Sequence, residues 1–206
     1  MKSIFSEYKA GMENIYNSFF ISFLALKPLM ERPLQSDFKI PIDGFSFNII
    51  DANQLNKLGS DVINEYVNSI RRHMLNDIVI CYERYASLMY TSHCNNQNRF
   101  DPALLEDRTI NASKFESLNA NLFVSSELLF FQQLKRLRNS IVHFNGVYTK
   151  TNILNYSFHR NSYYSQGHEG EKISIELETI MYIYYKALEY VTNVNLRYFS
   201  QYPLCA

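Results

Sequence analysis

The sequence predicts an all-α fold, in which one helical bundle carries two short extended or hairpin insertions. Four long stretches of the chain place apolar residues at steps of three and four, the spacing that buries one face of a helix. At 206 residues the chain fits a single domain, residues 1–206, whose core is large enough to be stable without a metal or a disulfide. The helical spacing is interrupted at about residues 32–52 and 147–173, which we interpret as insertions into the bundle.

Two of the predicted helices lie in the first half of the chain. The first runs from about residue 3 to residue 30, and the proline at 33 closes it because proline disfavours a helical residue before it. Proline and glycine punctuate the alternating apolar residues of "FKIPIDGFSFNII", residues 38–50, which predicts a short hairpin or an extended segment. The second helix begins near residue 53 or 60 and runs to about residue 90. Its expected buried stripe is Val62, Tyr66, Ile70, Leu75, Ile78, Tyr82, Tyr85 and Met89.

The second half of the chain begins with a predicted loop at residues 93–102 and short helical turns between 103 and 122. The third long helix opens at Ser125 or Ser126. Glu127 lies in its first turn, where the helix dipole favours an acid. Gly146 is a natural C-terminal stop for this helix. After the second insertion, the last helix runs from about residue 174 to residue 199.

Composition narrows the classes of function. The formal net charge at pH 7 is zero, so no whole-protein basic field is expected and any anion site must be local. The three cysteines are an odd number without regular spacing, which favours a reducing cytoplasm over a disulfide framework. No stretch is predicted to span a membrane or to act as a signal peptide. We expect neither a metal nor a cofactor, since no closed zinc pattern is formed by His73, Cys81, His93 and Cys94.

The most informative stretch is "LKRLRNSIVHFNG", residues 134–146, at the end of the third long helix. Asn139 and His143 are four residues apart, so they are neighbours on one face of the helix. Arg138 lies on the flank, from which a long side chain can reach toward His143. We expect these polar side chains to be displayed at the surface. The core-facing stripe of the same helix is predicted to be Phe130, Leu134, Leu137 and Ile141, while Gln132, Lys135 and Arg136 share the polar side.

These residue types suit the cleavage of RNA without a metal, because RNA supplies its own nucleophile, the 2′-hydroxyl. Histidine titrates near neutrality and serves as a general base or acid. Arginine stays charged and offers a forked donor that matches phosphate oxygens. Asparagine can orient the histidine or donate to the same phosphate. A twofold dimer would supply a second set of these groups.

The pattern R-N-x-x-x-H formed by Arg138, Asn139 and His143 resembles the signature of the HEPN superfamily. The resemblance implies an all-helical, HEPN-like bundle that acts as a metal-independent endoribonuclease and assembles its site across a homodimer. It further implies that Arg138 binds the scissile phosphate, that His143 transfers the proton and that Asn139 supports both. Arg136 also stands at a spacing the family permits, and we prefer Arg138 because Asn139 follows it. Where one toxin subgroup has a tyrosine two positions after the histidine, this chain has Asn145.

The resemblance also implies a cellular setting, a toxin or phage-defence effector with an RNA substrate and an antitoxin or defence-system protein as a partner. The alternative hypothesis is a non-catalytic HEPN-like helical module that binds a protein or a nucleotide. Residues 159–170 present a second candidate for RNA contact, in which bases stack on Tyr163 or Tyr164 while Arg160 meets a phosphate. A solvated loop or a hairpin tip is the simpler interpretation of that stretch. We also expect Arg71, Arg72 and His73 to form a solvated basic face of the second helix.

Overall fold

The computed structural model describes most of the chain, over residues 2–30, 38–42, 45–50, 60–96, 108–143, 146–147 and 170–202. Five helices and one two-stranded hairpin form within these ranges. In chain order they are α1 (Lys2–Met30), β1 (Phe38–Ile42), β2 (Phe45–Ile50), α2 (Ser60–Asn96), α3 (Arg108–Glu116), α4 (Ser125–His143) and α5 (Leu177–Gln201). The all-α fold predicted from the sequence is confirmed. A nine-residue helix, α3, stands where the sequence predicts only short helical turns.

The longest helix, α2, lies at the centre of the bundle and packs against each of the other four helices. Large aromatic side chains fill the core around it. Tyr82 of α2 stacks on Phe131 of α4 with ring centroids 3.7 Å apart, and Tyr85 meets Phe115 of α3 edge to face at 6.1 Å. Burying such rings removes large apolar areas from water, so these contacts dominate the stability of the bundle. They also fix how α4 is rotated about its own axis.

Three buried tyrosine hydroxyls find a partner within the bundle, which offsets the loss of their hydration. Tyr8 of α1 donates to the carbonyl oxygen of Ala187 in α5 at 3.1 Å, and Tyr85 donates to Asn195 Oδ1 at 3.2 Å. Tyr82 donates to Glu116 Oε1 at 2.7 Å. Burial, with a smaller contribution from the Glu116 carboxylate, raises the pKa of Tyr82 well above its ordinary value. These hydroxyls therefore stay protonated and act as hydrogen-bond donors that tie the helices together.

The predicted buried stripe of α2 is only partly correct. Its second half is buried as expected, but Val62 is 52% exposed and Tyr66 is 56% exposed. In the predicted stripe, Ile70 and Leu75 are five residues apart. At about 100° per residue, this spacing turns the side chains before it by about 140° around the helix relative to those after it. The actual buried face continues toward the N-terminus through Met74 and Val67 instead.

The basic cluster on α2 also differs from its prediction, because Arg72 is buried rather than solvated. Arg72 Nη2 donates to Glu65 Oε1 at 2.6 Å, and its guanidinium lies against Gly146, just beyond α4. Arg71 donates to the carbonyl oxygen of Ile175 at 3.1 Å. These side chains therefore hold the end of α4 and the segment that leads into α5, while His73 is exposed as expected.

Both ends of α4 form as the sequence predicts. At the start, the backbone N–H of Val124 donates to Glu127 Oε2 at 3.0 Å, so the acidic residue of the first turn caps the helix. The carboxylate of Glu127 also pairs with Arg197 of α5. At the other end, Gly146 has a φ of 70° and its N–H donates to the carbonyl oxygen of Ile141 at 2.9 Å. A left-handed glycine that returns a hydrogen bond to the last turn ends a helix efficiently.

The Gly146→Ala substitution is expected to destabilise the fold more than Gly170→Ala does. Both glycines have a positive φ, which a residue with a Cβ adopts at a cost of about 1–2 kcal/mol. A Cβ on Gly146 would lie 2.8 Å from Arg72 Nη1, whereas one on Gly170 meets nothing within 4 Å. The extra loss at position 146 comes from displacing the Arg72 guanidinium from Glu65. Urea denaturation of both variants measures the difference, and equal losses would contradict it.

The first insertion contains the expected hairpin. Strands β1 and β2 pair antiparallel, Ile42 lies opposite Phe45, and the register shifts between Phe38 and Lys39. Within the second insertion, Val147 pairs with Lys172 in an isolated antiparallel bridge. Residues 148–169 lie outside the described part of the chain. The proposed base-stacking residues of the 159–170 stretch fall there.

Candidate active site on α4

The core-facing side of α4 determines which of its polar residues reach solvent. Phe130, Leu134 and Leu137 are buried and Ile141 is half-buried, which confirms the predicted apolar stripe. Phe130 packs edge to face on Tyr190 of α5, with ring centroids 5.2 Å apart. Because this side of the helix is anchored against α5 and α2, its opposite side faces solvent.

Asn139 and His143 lie on the solvent-facing side of α4, as the sequence predicts, and Arg136 lies there with them. The three residues follow one another at steps of three and four, so each is a neighbour of the next along the helix surface. None of the three side chains makes a hydrogen bond or an ion pair with another described residue. We call these three residues the outer row of α4. It combines an imidazole, an amide and a guanidinium that a ligand can reach.

Arg138 does not belong to this surface, and its predicted display was wrong. Its Nη2 donates to Glu83 Oε2 of α2 at 2.7 Å. The side chain of Arg138 is 18% exposed and that of Glu83 is 9% exposed. At about 100° per residue, Arg138 lies about 140° around the helix from His143, so its side chain turns toward the seam between α4 and α2. The carboxylate of Glu83 holds it there.

The Arg138–Glu83 ion pair resists rearrangement because it is mostly buried. Removing one partner from such a pair leaves an uncompensated charge and costs about 3–5 kcal/mol. Arg138 Nε and Glu83 Oε1 are buried without a hydrogen-bond partner, so the pair is held by a single short contact. A phosphate that recruited Arg138 would have to leave the carboxylate of Glu83 alone in this seam. In this structure, then, Arg138 serves to hold α4 on α2.

Lys135 is also turned inward, although the sequence groups it with the polar side of α4. Its Nζ donates to both carboxylate oxygens of Glu116, at 2.7 and 2.9 Å. The same carboxylate accepts the hydroxyl of Tyr82, so a compact polar cluster links α2, α3 and α4. Glu83 and Glu116 were not identified from the sequence, since neither belongs to a recognisable motif. Their partnership with α4 arises only from the packing of the helices.

A depression with a volume of about 520 Å³ lies between α1 and α2. Its lining includes Tyr8, Asp77, Cys81 and Arg84. Cys81 donates its S–H to the carbonyl oxygen of Tyr8 at 3.7 Å, and burial raises the pKa of its thiol to about 11. A thiol with this pKa is protonated at neutral pH and is a poor nucleophile. The Cys81 thiol is therefore not a candidate nucleophile in this depression.

Two further candidates from the sequence, His93 and Cys94, are buried in the bundle. The Nδ1 atom of His93 lies 3.0 Å from the hydroxyl of Tyr198. Cys94, the next residue in the chain, is also buried. Within the described residues, no three histidine, cysteine or acidic side chains come together as a metal site would require. Of the described helices, none combines the length and the apolarity needed to cross a membrane. The outer row of α4 is therefore the best candidate for an active site among the described residues.

Comparisons with protein-family models, with curated proteins and with solved structures found no match to this chain. The assignment of a class therefore depends on the residues of α4 and their geometry, together with the resemblance of R-N-x-x-x-H to the HEPN signature.

Proposed function

We propose that this protein is a HEPN-type, metal-independent endoribonuclease that cleaves single-stranded RNA. The observation that carries the proposal is the placement of His143 and Asn139. They are neighbours on the solvent-facing side of a helix whose opposite side is fixed in the core. A general base must be within reach of its substrate, and a rigid helix holds it more steadily than a loop does. An exposed arginine on the same side supplies positive charge for a phosphate.

In the proposed reaction the 2′-oxygen of one nucleotide attacks the adjacent phosphorus. The attacking hydroxyl loses its proton to an imidazole, a P–O2′ bond forms and the P–O5′ bond breaks. The departing 5′-oxygen takes up a proton, which leaves a 2′,3′-cyclic phosphate and a 5′-hydroxyl. His143 transfers a proton, an arginine stabilises the charge on the phosphorane, and Asn139 orients the imidazole or donates to the same phosphate.

One copy of α4 presents one exposed histidine, whereas concerted transfer is helped by two proton-handling groups. We therefore propose a homodimer in which two copies of α4 contribute to a shared groove, since a twofold axis brings identical surfaces together. The setting that fits the resemblance is a cytoplasmic toxin or phage-defence effector. Such an effector would be restrained by an antitoxin or another protein of the same system.

The second candidate function is a non-catalytic module that binds a protein or a nucleotide through the same surface. Two observations favour it. Arg138, the arginine of the sequence motif, is engaged by Glu83. Leu129 and Val142 are 52% and 51% exposed on α4, which adds apolar area to a surface that a protein partner would cover. In this case the three side chains of the outer row would make polar contacts with the bound protein or nucleotide and would not catalyse a reaction.

Incubating the purified protein with single-stranded RNA in the presence of EDTA tests the proposal. We expect cleavage of the RNA, because no step requires a divalent metal. A 2′-O-methyl RNA of the same sequence should remain intact, because it lacks the nucleophile. An absence of cleavage, or cleavage that EDTA abolishes, would contradict the proposed function. Binding to RNA, nucleotide or protein without cleavage would support the second candidate.

A further inference from the structure

We infer that Arg136, rather than Arg138, is the arginine of α4 that binds the scissile phosphate. The inference rests on the proposed function and assigns one further residue to the same site. The sequence motif alone favours Arg138, because Asn139 follows it directly. The three-dimensional arrangement reverses that preference.

Arg136 and Arg138 lie at different positions around α4, and Arg136 is the one that shares a side with His143. Arg136 and His143 are seven residues apart, which rotates them by only about 20° and separates their Cα atoms by about 10 Å along the axis. Asn139 lies between them on the same side. A phosphodiester can occupy such a gap, with the guanidinium on one side and the imidazole on the other. Arg138 lies about 140° from His143, so its side chain begins on a different side of the helix.

The two guanidinium groups also differ in whether an acidic partner already occupies them. The side chain of Arg136 is exposed and makes no ion pair with another described residue. The guanidinium of Arg138 is paired with the buried carboxylate of Glu83 at 2.7 Å. A phosphate approaching Arg136 displaces no ion-pair partner among the described residues, whereas a phosphate approaching Arg138 must displace Glu83. Arg136 therefore contacts the non-bridging phosphate oxygens, and the Arg138–Glu83 ion pair serves only to hold α4 on α2.

Four variants separate these roles. Arg136→Ala removes the inferred phosphate ligand, and Arg136→Lys retains its charge but loses the fork. The paired replacement Glu83→Met with Arg138→Met removes the buried ion pair while keeping similar volume in the seam. Arg84→Ala is the matched control, because Arg84 is a 63% exposed arginine on the α1 side of α2. If the methionine pair does not fold, Glu83→Gln with Arg138→Gln takes its place.

Two measurements are made on each variant, namely the rate of RNA cleavage in EDTA and the affinity for uncleavable 2′-O-methyl RNA across a salt series. For Arg136→Ala we expect a loss in rate of about 10²–10³-fold and a decrease of about one in the salt-dependence slope. Arg136→Lys should recover part of the rate. The paired replacement of Glu83 and Arg138, like Arg84→Ala, should stay within about threefold of the wild-type rate, which is far from the loss expected on removing a phosphate ligand.

The outcomes distinguish this inference from the proposed function. If Arg136→Ala cleaves and binds like the wild type while the Glu83 and Arg138 pair loses cleavage, the inference is overturned and the nuclease stands. If the wild type binds 2′-O-methyl RNA through Arg136 but cleaves no RNA, the nuclease fails, and what stands is that Arg136 rather than Arg138 contacts an RNA phosphate. A wild-type protein that neither cleaves nor binds RNA overturns both.

Discussion

Replacing His143 by alanine is expected to reduce RNA cleavage by about 10²–10⁴-fold, the usual contribution of a positioned general acid or base. The fold should be unaffected, because the imidazole is exposed and makes no hydrogen bond or ion pair with another described residue. Cleavage rates in EDTA and melting temperatures of the same preparations test both parts. A large loss of rate with an unchanged melting temperature would identify a chemical rather than a structural role for His143.

The matched control is His73→Ala. His73 is also an exposed histidine, but it lies on α2 in a shallow groove between α1 and α2, lined by Ile15 and Met74. We expect His73→Ala to cleave RNA at the wild-type rate. A His143→Ala variant that retains full activity would contradict the assignment of the site to α4. Equal losses in both variants would point to a general effect of removing surface histidines.

Arg138→Ala is expected to lower the free energy of unfolding by about 3–5 kcal/mol, the cost of leaving a buried charge without its partner. Glu83→Ala should cost less. The side chain of Glu83 is 9% exposed, whereas the longer side chain of Arg138 is 18% exposed and can turn its guanidinium toward water. Urea denaturation measures both losses, provided that the slope of the transition stays constant.

The control for this comparison is Glu7→Ala, which breaks the exposed contact between Glu7 and Arg84 at 3.6 Å. Exposed ion pairs contribute little, so we expect a change within about 0.5 kcal/mol. If Glu83→Ala proved more damaging than Arg138→Ala, the seam between α2 and α4 would not be organised around a buried carboxylate. Losses under about 1 kcal/mol for both variants would show that the ion pair is effectively solvated, contrary to the structure.

The local properties of α4 were predictable because they depend on residues close in sequence. The spacing of Phe130, Leu134 and Leu137 identifies the buried side, and that side in turn places His143 at the surface. The acid in the first turn and Gly146 after the last turn mark both ends. Helical periodicity fixes these features whatever the helix packs against. The exposure of Asn139 and His143 followed directly.

The partner of Arg138 could not be predicted, because Glu83 lies 55 positions earlier in the chain. A long flexible side chain on the flank of a helix can turn toward solvent or toward a neighbouring helix, and only the packing decides between them. The same reason explains the burial of Arg72, because Gly146, against which its guanidinium lies, belongs to a distant part of the chain and meets α2 only in the folded bundle. Sequence spacing identified the candidate helix but not which of its arginines is free.

The chemical identity of the new 3′ end shows whether the 2′-hydroxyl of the RNA is the attacking group. After incubation of wild-type protein with single-stranded RNA in EDTA, mass spectrometry should detect fragments that end in a 2′,3′-cyclic phosphate. Those fragments should be absent after incubation with the His143→Ala variant. Fragments with 3′-hydroxyl ends, cyclic phosphates produced equally by His143→Ala, or intact RNA would contradict the account of α4 as a ribonuclease site.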